Sequence, residues 1–187
     1  MWIQQGEARY TTPETMAPWL EAAGIESGVW PLTRFPEGLC EEASVNKDKH
    51  AEILQRVQPE LDRVKATHGY QSEDIVALTQ DTPNLAGILT MFDKEHHHTD
   101  DEVRVILAGE GIFGIVPQAR ETLSNLETTQ PLPPYEIHVE AGDYINVPAN
   151  TRHWFTLTDS RFIVALRIFS DTAGWTAIYE PLQPVTV

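Results

Sequence analysis

The chain has 187 residues, with 28 Asp and Glu against 13 Lys and Arg and a net charge of −15. That balance argues against a nucleic-acid partner or an anionic membrane surface, since both recruit Lys and Arg. The length suits one domain spanning 1–187, able to bury roughly 70% of its unfolded surface, and a single cysteine, Cys40, excludes an internal disulfide.

The start, Met1 to Gln5, lacks the basic-then-apolar layout of a signal peptide, and no apolar run approaches the ~20 residues that cross a bilayer. The expectation is a cytoplasmic, monomeric protein. Thr11-Thr12-Pro13-Glu14 predicts a helix start, with a capping Thr, Pro in the first turn and Glu complementing the dipole. Met16, Trp19, Leu20 and Ala23 give that helix an apolar face, Gly24 ends it, and Val29-Trp30 reads as a short strand. Pro36 to Lys49 shows no periodicity and is read as a long loop. Ile53, Leu54, Val57, Leu61 and Val64 recur at helical spacing, with Pro59 among them. Proline removes a helix hydrogen bond and crowds the preceding turn, so a kink or two successive helices is expected. Gly69 stops this element. Ile75 to Leu78 is a short strand, and Asp81-Thr82-Pro83 is expected to cap a third helix with Leu85, Ile88, Leu89 and Phe92 on one face.

Glu95-His96-His97-His98-Thr99-Asp100-Asp101-Glu102-Val103-Arg104 follows. In a strand, alternate side chains share a face, so His96, His98, Glu102 and Arg104 project together. In a helix, residues two apart diverge and His96 would not meet His98. The β-branched and aromatic run from Val103 to Phe113 favours the strand. From Glu95 to Tyr179 the pattern is of strands punctuated by Gly, Pro, Asn and Asp, as in a β-barrel, with all helices before it. The expected fold class is therefore mainly β with amino-terminal helices (α+β): residues 1–92 pack on a metal-binding barrel over 93–180. Gly142 to Phe155 reads as strand, turn and strand, with Pro148, Ala149 and Asn150 in the turn and His153 opening the second strand as candidate fourth ligand.

Other features have plainer readings. Gly109-x-Gly111-x-x-Gly114 matches a nucleotide-binding spacing, but no helix pattern follows it. His97 has the wrong parity for the ligand face, His50 and His68 lie in or at the ends of amphipathic helices and are read as solvated, and His138 precedes the second motif by one strand. No helix-turn-helix pattern or basic patch suggests a regulator.

His96, His98 and Glu102 form HxHxxxE, followed after six residues by Gly109; Gly142, Pro148 and His153 fit a second motif of Gly, five residues, Pro-x-Gly, two residues and His. In both, the chain resembles the cupins, small jelly-roll-like barrels of the double-stranded β-helix type. Asn150 replaces the turn glycine, which is tolerable because Asn accepts the left-handed conformation, and Gly87 lies too far upstream to lead the first motif. Within the cupins the chain resembles the acireductone dioxygenase family. Four blocks carry this: Gly69 to Ser72 before Asp74-Ile75-Val76; Glu95 to Arg104; Val147-Pro148-Ala149 with His153-Trp154-Phe155; and Arg167-Ile168-Phe169 with Gly174-Trp175.

The resemblance implies a metal-dependent dioxygenase of methionine salvage that cleaves acireductone (1,2-dihydroxy-3-keto-5-methylthiopentene) with O2. The products would be formate and 4-methylthio-2-oxobutanoate with Fe(II), or formate, carbon monoxide and 3-methylthiopropanoate with Ni(II). It implies one Fe(II) or Ni(II) per chain on His96, His98, Glu102 and His153. Phe92, Phe155, Arg167 and Trp175 would line the pocket, Arg167 as either a second anion partner or an internal salt bridge, with Asp101 near the site. Pro117 to Tyr135 is longer than the corresponding segment of the family's bacterial members and is read as a surface loop at a hairpin tip, a lid over the barrel mouth being the alternative. Three imidazoles and a carboxylate leave two adjacent octahedral positions, which suit vicinal substrate oxygens. The set is neither a closed zinc cage nor an all-oxygen calcium site. Arg104, always protonated, is suited to an anionic enediol. The rival readings are another cupin dioxygenase or isomerase and a non-catalytic cupin that binds a small molecule.

Overall fold

The computed structural model describes residues 1–117, 132–171 and 175–179. Two short strands, β1 (Trp2–Gln5) and β2 (Ala8–Tyr10), form a hairpin before helix α1 (Pro13–Ala22). Thr12 caps α1 as the sequence suggests, exchanging hydrogen bonds with Thr15 in a capping box with Pro13 in the first turn. Strand β3 (Glu26–Val29) ends one residue before Trp30. The expected loop 36–49 contains a short helix, α2 (Leu39–Glu42), whose Leu39 and Cys40 are buried. One turn is too short to display a period, so composition could not reveal it.

Helix α3 (Asp48–His68) is one element through Pro59, so of the kink or the two successive helices expected there, the division into two does not occur. Pro59 and Gln55, whose carbonyl loses its donor, are both exposed. Water can satisfy that carbonyl while the buried stripe Ile53, Val57, Leu61 and Val64 continues on the opposite face. Gly69 ends α3 in the left-handed conformation at φ 80°. After β4 (Ser72–Leu78) comes α4 (Leu85–Phe92), preceded by a left-handed Asn84 rather than capped by Asp81 or Thr82. The Thr82 hydroxyl is instead held in the preceding turn, accepting from the Thr79 amide.

The remaining strands are β5 (Glu102–Val116), β6 (Tyr135–Glu140), β7 (Asp143–Val147), β8 (Arg152–Leu157) and β9 (Ile163–Phe169). The nine strands among the described residues join one sheet that curls into a cupin-type barrel. The 15-residue β5 serves both walls: its first half pairs with β7 and β9, its second with β6 and β8. A bulge between Ile106 and Ala108 separates the halves. Before it, even residues face the barrel interior and Val103, Val105 and Leu107 pack against α3; after it, Phe113 and Ile115 face inward. An extra residue reverses the alternation, so both halves present an inner face. Gly109, at φ 74° beside the bulge, supplies the left-handed backbone this needs. Gly109, Gly111 and Gly114 thus belong to a strand.

Two apolar clusters result. One fills the barrel with Phe113, Ile115, Ile137, Ile145 and Phe155, closed by Trp19 and Leu20 of α1 and Leu85 of α4. The other lies between α3 and the outer face of β5 and β9. The 117–135 segment joins the antiparallel strands β5 and β6, which pair through Ile115 and Tyr135; residues 118–131 of it lie outside those described. Among the described residues, no helix is long and apolar enough to cross a membrane.

Candidate metal centre

The first ligand segment is less regular than the sequence suggested. A continuous strand was expected from Glu95, but β5 begins only at Glu102. His96 and His97 lie in isolated bridges to His153 and Ile178, and Thr99 and Asp100 bend between them and the strand. The direction of His96 is set by paired amide–carbonyl bonds with His153, 2.9 Å each way. His98 is held by its carbonyl, which accepts from the Asn150 amide at 2.7 Å. Asn150 is left-handed at φ 64°, as its place in the turn required. His153 follows on β8 facing inward, opposite Ile115.

The side chains of His96, His98, Glu102 and His153 therefore converge, with ligand atoms within 4.8 Å of one another and all four residues buried. Each imidazole directs Nδ1 at a backbone carbonyl: His96 at Lys94 (2.6 Å), His98 at Thr176 (2.9 Å) and His153 at Thr151 (2.8 Å). A nitrogen facing a carbonyl must carry the proton, which leaves each Nε2 with a lone pair. Glu102 Oε2 lies 3.1 Å from Nε2 of His98 and 2.9 Å from that of His153. Lone pairs facing a carboxylate in a buried site repel unless a cation or extra protons intervene. Adjacent ligands on an ion with bonds of about 2.1 Å lie about 3 Å apart, so the spacing fits a divalent ion bound through nitrogen and oxygen.

The electrostatics agree with that fit. Burial would push the Glu102 carboxyl up, but Arg104, His153 and His98 outweigh it and hold the group well below the usual carboxylate range. His96 is driven down, first by burial. For His98 burial also lowers the value, yet the hydrogen bond and charge of Glu102 raise it overall.

Arg104 is buried, and its Nε donates to Glu102 Oε1 at 2.6 Å. The sequence suggested only a role toward substrate; the structure adds that Arg104 fixes the carboxylate so that its other oxygen meets the histidines. Its guanidinium lies over Phe155 at 4.9 Å and Trp175 at 5.3 Å. Phe155 forms the floor with Phe113, and Phe92 is half-buried at the end of α4 against the same cluster. Arg167 sits opposite Arg104 on β9 but is bound to Asp74 at 2.7 and 2.5 Å, so of its two readings the structure displays the internal salt bridge.

Asp101 binds three segments: its carboxylate accepts from the Tyr70 hydroxyl and the Ala149 amide, and its carbonyl from the Trp175 indole. His97 lies outside the four-donor cluster, and His138 is remote, stacked on Trp2 at 3.6 Å. His50 contacts the Ala43 carbonyl and His68 pairs with Glu26, so neither is simply solvated. Sequence reasoning missed Tyr70 as a partner of the site, although it stands in one of the four family blocks. It also missed Tyr179, whose ring lies 5.6 Å from that of His96, for which no sequence signal exists.

Barrel and donors together define the class: a cupin-type protein with a site for a divalent metal. The ARD/ARD' family profile matches residues 36–177. Proteins named acireductone dioxygenase from Sulfurihydrogenibium sp. and Bacillus cereus are each 38% identical to the chain, over 94% and 95% of it and 90% and 97% of their own lengths. A solved structure, acireductone dioxygenase from Bacillus anthracis with a cadmium ion in its active centre, superposes with a TM-score of 0.82 at 38% identity, covering 95% of this chain and 97% of that one. The chain belongs to the ARD/ARD' family.

Proposed function

We propose that the protein is a metal-dependent dioxygenase that cleaves acireductone with O2 in methionine salvage. With Fe(II) the products are formate and 4-methylthio-2-oxobutanoate; with Ni(II) they are formate, carbon monoxide and 3-methylthiopropanoate. The observation that carries this reading is the convergence of His96, His98, Glu102 and His153 beside the buried Arg104 guanidinium, in a chain whose relatives bear that enzyme's name over nearly their whole length.

His96, His98, Glu102 and His153 would hold a divalent ion, which would supply Lewis acidity toward vicinal substrate oxygens. The protein's own groups do the rest. Arg104 balances the charge of an enediolate, most strongly because the site is buried and its effective dielectric low. Phe92, Phe155 and Trp175 provide apolar surface that excludes water and suits a methylthio tail. Arg167, held by Asp74, acts in this reading as a support beneath Trp175, which it approaches at 5.7 Å.

The test is to strip the metal, reload with iron or nickel separately, follow the oxygen-dependent loss of acireductone absorbance and separate the products. Turnover with iron to formate and the keto acid is expected, with carbon monoxide appearing only with nickel. Stoichiometric binding of both metals without turnover would contradict the assigned substrate.

A further inference from the structure

One conspicuous side chain near the centre touches neither a donor nor the interior of the barrel. Tyr70 follows the turn that ends α3, is 5% exposed, packs in the outer cluster, and stacks on His68 at 5.2 Å. The Gln71 amide ties the same turn to β9 through the Phe169 carbonyl at 2.8 Å. Its hydroxyl is enclosed by two polar partners: it accepts from Asn146 Nδ2 of β7 at 3.0 Å and donates to Asp101 Oδ2 at 2.8 Å. Burial, then Asp101, push this hydroxyl up, so it stays protonated and can only serve Asp101 as a donor.

Asp101 directly precedes Glu102. Its other carboxylate oxygen accepts from the Ala149 amide at 3.0 Å, in the turn that leads to His153, and its carbonyl holds the Trp175 indole at 2.9 Å. The residue after Trp175, Thr176, offers the carbonyl that orients the His98 ring. Three routes from Asp101 therefore end on a donor: through the chain to Glu102, through Ala149 to His153, and through Trp175 and Thr176 to His98. Without the Tyr70 hydroxyl, a half-buried carboxylate oxygen loses its partner, and the carboxylate is free to rotate away from Ala149.

We infer that Tyr70 is a positioning residue for the metal centre, acting from outside the barrel wall through Asp101, which it locks between the two ligand-bearing turns. This rests on the reading of the four-donor cluster as a metal site. Partners at this remove from a metal commonly change affinity by roughly 10- to 100-fold when lost.

The experiment is competitive Co(II) titration of the metal-free full-length protein against a chromophoric chelator, for wild type, Tyr70→Phe, Asp101→Ala and the double variant. Each is paired with a thermal melt of the metal-free protein. Tyr70→Phe keeps the ring and removes only the hydroxyl. The expected result is a loss of Co(II) affinity of about tenfold, a metal-free melting temperature within a few degrees of wild type, and a double variant no weaker than Asp101→Ala alone. Wild-type affinity in Tyr70→Phe would overturn the inference. So would effects of the two substitutions that multiply, or an affinity loss that only tracks a fall in melting temperature, as a purely structural role requires. Failure of the wild type to bind Co(II) would instead overturn the metal reading beneath it.

Discussion

The wall of the barrel made by β4, β9, the first half of β5, β7 and β3 turns Glu102, Arg104 and Arg167 to its inner side. The facing wall, made by β1, β6, the second half of β5 and β8, turns Phe113, Ile115, Ile137 and Phe155 inward, with His153 as its contribution to the donor set. Charged residues on an inner face cannot supply the apolar burial that holds a wall in place. The wall that bears them is the one backed by α3, through Val103, Val105, Leu107, Val164, Leu166 and Ile168. Support for the chemically committed wall comes from behind, whereas its partner is held by the barrel interior itself.

Breaking the meeting point of the walls should have the largest effect. His96→Ala, His98→Ala or His153→Ala is expected to abolish stoichiometric metal and turnover together, read by elemental analysis and the oxygen-dependent assay. Retained metal at one ion per chain in these variants would contradict the assignment. Arg104→Met removes the positive charge that the charged wall sets beside Glu102. Removing one member of a buried pair costs about 3–5 kcal/mol, and the loss should appear in denaturation of the metal-free protein and shrink when a divalent ion is added to balance Glu102.

The pH dependence sharpens the same point. Because the Glu102 carboxyl is held below its ordinary range, the stability it contributes is present above the unfolded-state carboxylate pKa and is lost as pH falls through the lower folded value. In Arg104→Met, thermal melts of the metal-free protein should show that loss beginning at higher pH. An unchanged profile would mean that Arg104 does not set the charge state of Glu102.

Leu61→Ala tests the support from behind. Leu61 is fully buried in the outer cluster, and its truncation is expected to lower stability by about 2–5 kcal/mol, while metal stoichiometry at low temperature stays at one. The smallest effect is expected from Asp74→Ala. That ion pair is partly exposed, 47% for Asp74 and 30% for Arg167, so its removal should change stability by about 1 kcal/mol or less. A large fall in turnover with intact stability would show that freeing Arg167 disturbs Trp175 above the centre.

Much of this arrangement was legible in the sequence, for identifiable reasons. The even spacing of His96, His98, Glu102 and Arg104 foretold a shared direction, and the structure gives them one although a regular strand holds only the last two. Side-chain parity survived because backbone bridges to His153 and Ile178 replaced the missing ladder. Asn150 was legible from turn chemistry alone. Pro59 does not divide its helix, because the local rule ignores which face of a helix meets water. The pairings that fix the centre could not be read from spacing: Tyr70 lies 31 residues from Asp101 and Thr176 lies 78 from His98, and hydrogen bonds across such separations leave no periodicity. Nor could spacing reveal that Arg104 would bind the ligand carboxylate two residues away.

Three imidazoles and one carboxylate of this chain are proposed to hold one divalent ion. X-ray absorption fine structure of the Ni(II)-loaded protein tests it most directly. A nitrogen and oxygen shell at about 2.1 Å is expected, containing three imidazoles and falling to two, with loss of occupancy, in His153→Ala. A sulfur-containing shell, or an imidazole count unaffected by that substitution, would contradict it.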